Sequence, residues 1–390
     1  MGSGYWGQST GGSLLHRFEL SKQLGNSMKK TLFHFAWVLA VAAFLSFPGS
    51  GSIQAEELKL SSAGPIAFGP DGLLLISDPM EATIYAVQTE DTEGSTKDVT
   101  VEVEDLRSKV ASMLGTEPAD VRINDLAVNP INGHPYLSVT RGSGEDESSL
   151  ILMMDLKTNK LSEFDCSAKK FTKTVLSNAA ESKRTRRGNQ RLQAITDMAF
   201  MDDKVYVAGL SNEEFASNLR SIPYPFENND SGTSIEIFHG AHGKFETRSP
   251  IRTFAALHEN EDTSLLAAYT CTPLVRIPIG DLKPETKVRG TTIAELGNRN
   301  RPLDMVVYSK DKKNYALMAN SHRGVMKIDL TTAGTQKPIT TRIGGTSGVP
   351  YETVKELSGV MQLDGLNETH AVVLVVGDDK KEHLKTIMLP

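Results

Sequence analysis

Cysteine is nearly absent: the 390 residues contain only Cys166 and Cys271. That excludes a disulfide framework and a zinc-finger array. Aromatic residues are scarce at 6%, and the longest apolar stretch, residues 32–47, is interrupted by His34 and falls short of a comfortable bilayer span. A basic excess is missing too. The formal charge is −6, so no global field favours nucleic acid. Cys-x-x-Cys-His, a Walker loop, His-Glu-x-x-His and Gly-x-Ser-x-Gly are all lacking, which removes the haem, nucleotide, zinc-protease and serine-hydrolase signatures. What remains is 39% hydrophobic and 23% charged, an ordinary soluble composition. It fits neither a disordered tail, a collagen-like fibre nor a polytopic membrane protein.

The N-terminus has the order of a targeting segment. Met28-Lys29-Lys30 precedes the apolar run, and small residues follow up to Ala55. A charged start, a short apolar centre and a small-residue end predict a secretory signal, with no membrane span after cleavage. Residues 1–27 are rich in Gly and Ser, precede a natural-looking start at Met28 and are not expected to belong to the folded domain. Residues 56–390 are expected to form one domain.

That domain is organised by a repeat, the feature to seek first. Each copy has an apolar run, a turn, a second run, a polar loop and a third run. In the first copy, Gly69-Pro70-Asp71-Gly72 separates residues 65–68 from 73–77, and 83–87 follow. Pro-Asp-Gly between apolar runs marks a tight hairpin, because Gly supplies positive φ. Further copies begin at Asp125, Asp197, Thr253, Asp304 and Gly359. Outer strands are expected at 99–103, 161–164 and 287–293, a short helix within 104–114, and an insertion over 211–230. The last copy lacks an outer strand, which residues 57–60 are expected to supply.

Four antiparallel strands per unit, repeated radially, form a propeller. The pattern predicts an all-β, six-bladed β-propeller, with seven blades as the alternative if residues 171–193 hide one. The chain resembles the six-bladed propeller superfamily of NHL-repeat and gluconolactonase-like architecture over residues 57–390, on strand patterning alone. Gluconolactonase-like enzymes place a metal-binding Glu in a Glu-Gly-Pro context. Here Ala63-Gly64-Pro65 puts Ala at that position, so the resemblance does not bring the lactonase chemistry with it.

Asp125, Asp197 and Asp304 share one repeat position at the channel entrance. Converging carboxylates, with Asn124, suit Ca²⁺, the one cofactor the residues suggest. The same carboxylates can instead accept backbone N–H groups of the adjoining blade, and that structural role is the favoured one. Loops on the same face carry Arg141, Arg184, Arg186, Arg187, Arg191, Arg299, Arg301, His322 and Arg323. Of these, Arg187, Arg299, Arg301, His322 and Arg323 form the candidate ligand site, since guanidinium forks suit a carboxylate, sulfate or phosphate group. Nearby Asp78, Glu81, Glu147 and Glu213 could neutralise them. Cys166 and Cys271 fall on non-adjacent blades and are not expected to pair. The leading functional reading is a secreted or periplasmic module that binds a small anionic ligand or a protein partner on its loop-rich face. A metal-dependent hydrolase or lactonase at the channel mouth is the alternative.

Overall fold

A computed structural model describes residues 57–390 except 187, 228–230, 260–261 and 272. The expected signal and Arg187 lie outside the described residues. Among those described, no helix is long and apolar enough to cross a membrane.

Among the described residues six blade sheets, antiparallel but for one parallel edge strand on blade three, surround a central channel: the chain is a six-bladed propeller. In order of first appearance along the chain, blade one contains Ile66–Phe68, Leu73–Asp78 and Thr83–Gln88. Blade two runs through Val121–Val128, Pro135–Arg141, Ser148–Asp155 and Lys160–Glu163. The innermost strands of blades three to six are Asp197–Met201, Ile251–Glu259, Pro302–Lys310 and Val360–Gly365. The Pro70-Asp71-Gly72 turn takes the expected form, with both Asp71 and Gly72 at positive φ. The expected helix is α1, Leu106–Leu114.

Period-2 alternation builds the ring. Leu73 and Leu75 face blade three's Met198, Val205 and Val207. Leu74 and Ile76, one residue out of phase, face blade two's Ala127, Tyr136 and Ile151. Each such fully buried aliphatic side chain contributes roughly 1.5–3 kcal/mol. Six interblade cores arise in this way, and they give the ring order two, one, three, four, five, six and back to two. Blades one and two are therefore exchanged relative to the sequence.

The exchange corrects four expectations. Blade one takes its outer strand from Phe171–Val175, which pairs with Thr83–Gln88 after the chain has built blade two. Residues 171–193 thus hold this strand, a two-stranded hairpin and a short 3₁₀ turn, and no seventh blade. Blade six is closed by Glu102–Val103 beside Leu384 and Lys385, not by residues 57–60. Leu58 is instead taken up by the core between blades one and two, so its segment cannot reach blade six. Residues 99–103 consequently serve blade six and not blade one.

Two further corrections concern blades three and four. The expected insertion at 211–230 contains a regular strand, Ser217–Pro223, paired along its length with Lys204–Leu210. Thr233–His239 becomes the fourth strand and Lys244–Glu246 a fifth. The stretch 287–293 divides: Lys287–Arg289 runs parallel to blade three, while Thr291–Glu295 is blade four's outer strand. Gly290 sits at the division, where a Cβ would meet Val275.

Candidate functional site: the channel and its loop-rich mouth

The ladder of blade two shifts register between Ile123 and Asp125. Equivalent bulges precede Thr253, Asp304 and Gln362. A bulge re-aims the following side chain. The structural equivalent of Asp125 in blade six is therefore Gln362, not the neighbourhood of Gly359.

The re-aimed carboxylates bind backbone. Asp125 Oδ2 accepts Ile66 N–H of blade one at 2.8 Å. Asp197 takes Met198 N–H on Oδ1 at 2.8 Å and Phe254 N–H of blade four on Oδ2 at 2.7 Å. Asp304 takes Met305 N–H at 2.8 Å and Leu363 N–H of blade six at 2.8 Å. A fourth aspartate, Asp364, lies two residues beyond Gln362; it takes Gly365 N–H at 2.7 Å and Val128 N–H of blade two at 2.7 Å. All four point to the next blade in the same rotational sense. They stitch blade two to one, three to four, five to six and six to two.

These carboxylates are acids in a poor solvent. Burial raises Asp197 to about 7, despite the lowering effect of its hydrogen bonds. Burial likewise raises Asp364 to about 6. Asp125 and Asp304 are raised well above the ordinary range, again chiefly by burial, with the negative charge of the other aspartates adding to it.

Calcium binds oxygens at 2.3–2.6 Å, so three carboxylates on one ion lie within about 5 Å of each other. No trio drawn from Asp125, Asp197, Asp304 and Asp364 brings its oxygens within 4.8 Å of one another. Asn124 is also spent, its amide donating to Thr140 Oγ1 at 2.8 Å. The set as arranged does not fit a single directly chelated Ca²⁺. It fits a backbone clamp.

Asp125, Asp197, Asp304 and Asp364 line a cavity of about 970 Å³. It extends along the inner strands past Phe200, Phe254 and Val306 to His258, Asn314 and Asn367, at the turns that end those strands. Arg299, Arg301, His322 and Arg323 are not among its lining residues. They occupy the opposite mouth, where the inner strands begin.

At that mouth two loops are laced together. Arg301 N–H donates to Ser321 Oγ at 3.0 Å, and Ser321 N–H donates to Arg301 O at 2.9 Å. Asn300 accepts His322 N–H at 3.1 Å and donates to Asn320 at 2.7 Å. Arg299 and Arg301 are exposed beside this lacing. Arg323 is partly consumed, because its Nε and Nη2 donate to Asn298 O at 3.3 and 3.0 Å.

One residue at this mouth has no sequence signature. Arg252 is the bulge residue before Thr253. Its Nε is buried without a hydrogen-bond partner, and so is that of Arg191, on the turn before blade three. Burial first, then the charge of Arg301, holds the Arg252 guanidinium below its ordinary value, while Asp197 pulls the other way. Several acids that could neutralise the mouth are committed elsewhere. Asp78 accepts Ser61 and Ser62 N–H, Glu147 pairs with Arg122, and Glu213 accepts Ser234 Oγ–H and an amide hydrogen of Asn178. Cys166 and Cys271 form no disulfide with each other, as expected, and burial pushes the Cys166 thiol up to about 12.

No protein-family model matches the chain, and no curated protein matches it. Solved propellers do. The PQQ-bound aldose sugar dehydrogenase of Streptomyces coelicolor is 13% identical with a TM-score of 0.35, covering 86% of this chain and 97% of that one. A putative gluconolactonase is 9% identical with a TM-score of 0.32, over 86% and 93%. Streptogramin B lyase is 10% identical with a TM-score of 0.32, over 86% and 97%. At such identities and TM-scores these likenesses bring no catalytic residue to this chain.

Proposed function

We propose that this propeller is a secreted or periplasmic binding module. It takes a small anion, or an acidic group of a protein partner, at the loop-rich mouth. The observation that carries this reading is the pair Arg252 and Arg301. Burial and then the like charge of Arg301 disfavour the charged Arg252 guanidinium, and its buried Nε–H has no hydrogen-bond partner. An unpaired buried donor costs about 1–3 kcal/mol, and a carboxylate, sulfate or phosphate oxygen would remove that cost while relieving the repulsion. Arg299 and His322 stand exposed on the same rim.

The test is a thermal-shift screen of dicarboxylates, sugar acids and sulfated sugars. A ligand at about 100 times its dissociation constant should stabilise the fold by ~2.7 kcal/mol. Arg301→Ala should weaken the same ligand at least tenfold. A screen with no hit, together with a partner protein that binds Arg252→Gln/Arg301→Ala as well as wild type, would exclude this mouth as the site.

The metal-dependent hydrolase reading draws on the four channel carboxylates, two of them titrating near neutral pH. Its discriminating result is a calcium-dependent rise in melting temperature that disappears in Asp197→Ala. The clamp geometry predicts no such rise.

A further inference from the structure

Blade three ends in a hairpin whose composition stands apart from the other blades: His239-Gly240-Ala241-His242-Gly243-Lys244-Phe245-Glu246. Thr233–His239 pairs with Lys244–Glu246, and His242 N–H and Gly243 N–H both return to His239 O, at 3.1 and 2.8 Å. Gly243 adopts positive φ, which lets the turn close this tightly. The closure lays His242 over His239, with ring centroids 3.9 Å apart. Both rings turn Nδ1 to a single carboxylate. His239 Nδ1 lies 2.9 Å from Glu246 Oε2, and His242 Nδ1 lies 2.6 Å from Glu246 Oε1.

Two buried atoms at this hairpin have no partner. His239 is 3% exposed, and its Nε2 makes no hydrogen bond. Glu295, 1% exposed, accepts Gly240 N–H on Oε1 at 2.5 Å from beneath the turn, while its Oε2 makes none. A buried carboxylate oxygen and a buried imidazole nitrogen left idle around one turn are expensive for a purely structural hairpin.

We infer that His239, His242 and Glu246 form a transition-metal site, best suited to Zn²⁺, that pins the outer hairpin of blade three. The donor atoms of the three residues lie within 4.8 Å of one another, and among the described residues this is the one such group of His, Cys, Asp or Glu. Two imidazoles and a carboxylate match the usual zinc donor set, whereas Ca²⁺ and Mg²⁺ prefer all-oxygen shells. Bonds of about 2.0 Å in a tetrahedron place donors about 3.3 Å apart. The Nδ1–Glu246 separations of 2.9 and 2.6 Å therefore need to open only slightly. Three protein ligands leave the fourth position to water.

The sequence signal is His-x-x-His followed by Glu four residues later. It is distinct from His-Glu-x-x-His, and it sits on a strand hairpin instead of a helix. The site lies on the outer strands of blade three, and none of its three residues lines the large channel cavity.

The experiment uses the full-length protein, stripped with a chelator and then titrated with Zn²⁺, Ca²⁺ or Co²⁺. Calorimetry should show tight Zn²⁺ binding at one equivalent with a rise in melting temperature, and no effect of Ca²⁺. Co²⁺ should give the intense visible bands of a tetrahedral site. His242 is half exposed, so His242→Ala should fold with an unchanged metal-free melting temperature. It should nevertheless bind Zn²⁺ about 100-fold more weakly and lose the cobalt bands. Glu246→Gln is the second variant and should behave in the same way. Equal Zn²⁺ affinity in wild type and both variants, or no binding above the level of scattered surface histidines, would overturn the assignment.

Discussion

Asp197 presents one oxygen to its own strand and the other to blade four, so removing it leaves two N–H groups without an acceptor. Asp197→Ala should therefore lower stability by ~1–3 kcal/mol, read from a urea midpoint at constant m-value. The same residue sets a pH dependence. Its folded pKa is about 7 against an ordinary 3.8, and that of Asp364 is about 6. Between pH 4 and pH 7 the folded state holds protons that the unfolded chain has released, so these groups lose stability as pH rises and contribute no slope above about 7. Melting temperature should fall from pH 5 to pH 8, and Asp364→Asn should flatten part of that fall. A melting temperature that climbs over this window would mean that the channel carboxylates are ionised and compensated. The Asp125, Asp197 and Asp304 column is legible in the sequence because the repeat sets all three at one position. Asp364 is not, because the column residue of blade six is Gln362, three residues beyond the repeat start at Gly359, and Asp364 lies two further on. Arg252 is not, because nothing in composition marks the bulge residue before Thr253.

Strand pairing shows what local reading can and cannot reach. The inner strands announce themselves by alternation and by turns such as Pro70-Asp71-Gly72, and they form where expected. The outer strands are short and partly exposed, and they join edges distant in the chain, so the same residues fit more than one partner. Val99 to Val103 reads equally well beside blade one or blade six. The choice is made by packing: Val101 and Val103 are buried with Leu106 and Val110 of α1 and with Leu384 of blade six. Val101 N–H also donates to Thr386 Oγ1 at 2.8 Å. Val103→Asp would place a charge in that core and should cost about 3 kcal/mol or more. A variant as stable as wild type would mean that Glu102–Val103 does not close the ring.

At the scale of the whole molecule, six interblade cores and four aspartate clamps hold a ring whose first two blades are exchanged relative to chain order. Blade number and the existence of a loop-rich face are legible in the repeat. The exchange is not, because it depends on where two edge strands return after long excursions. The ring also separates two regions expected at one place. The large cavity lies on one side of the aspartates, and the unpaired arginines lie at the other mouth. Anion binding at that mouth can be measured directly by soaking crystals in selenate, a sulfate analogue with an anomalous signal. The predicted result is a selenium peak within hydrogen-bonding reach of Arg252 Nε and beside Arg301, lost in Arg252→Gln. A mouth empty of selenate, with Arg252 Nε still unpaired, would contradict it.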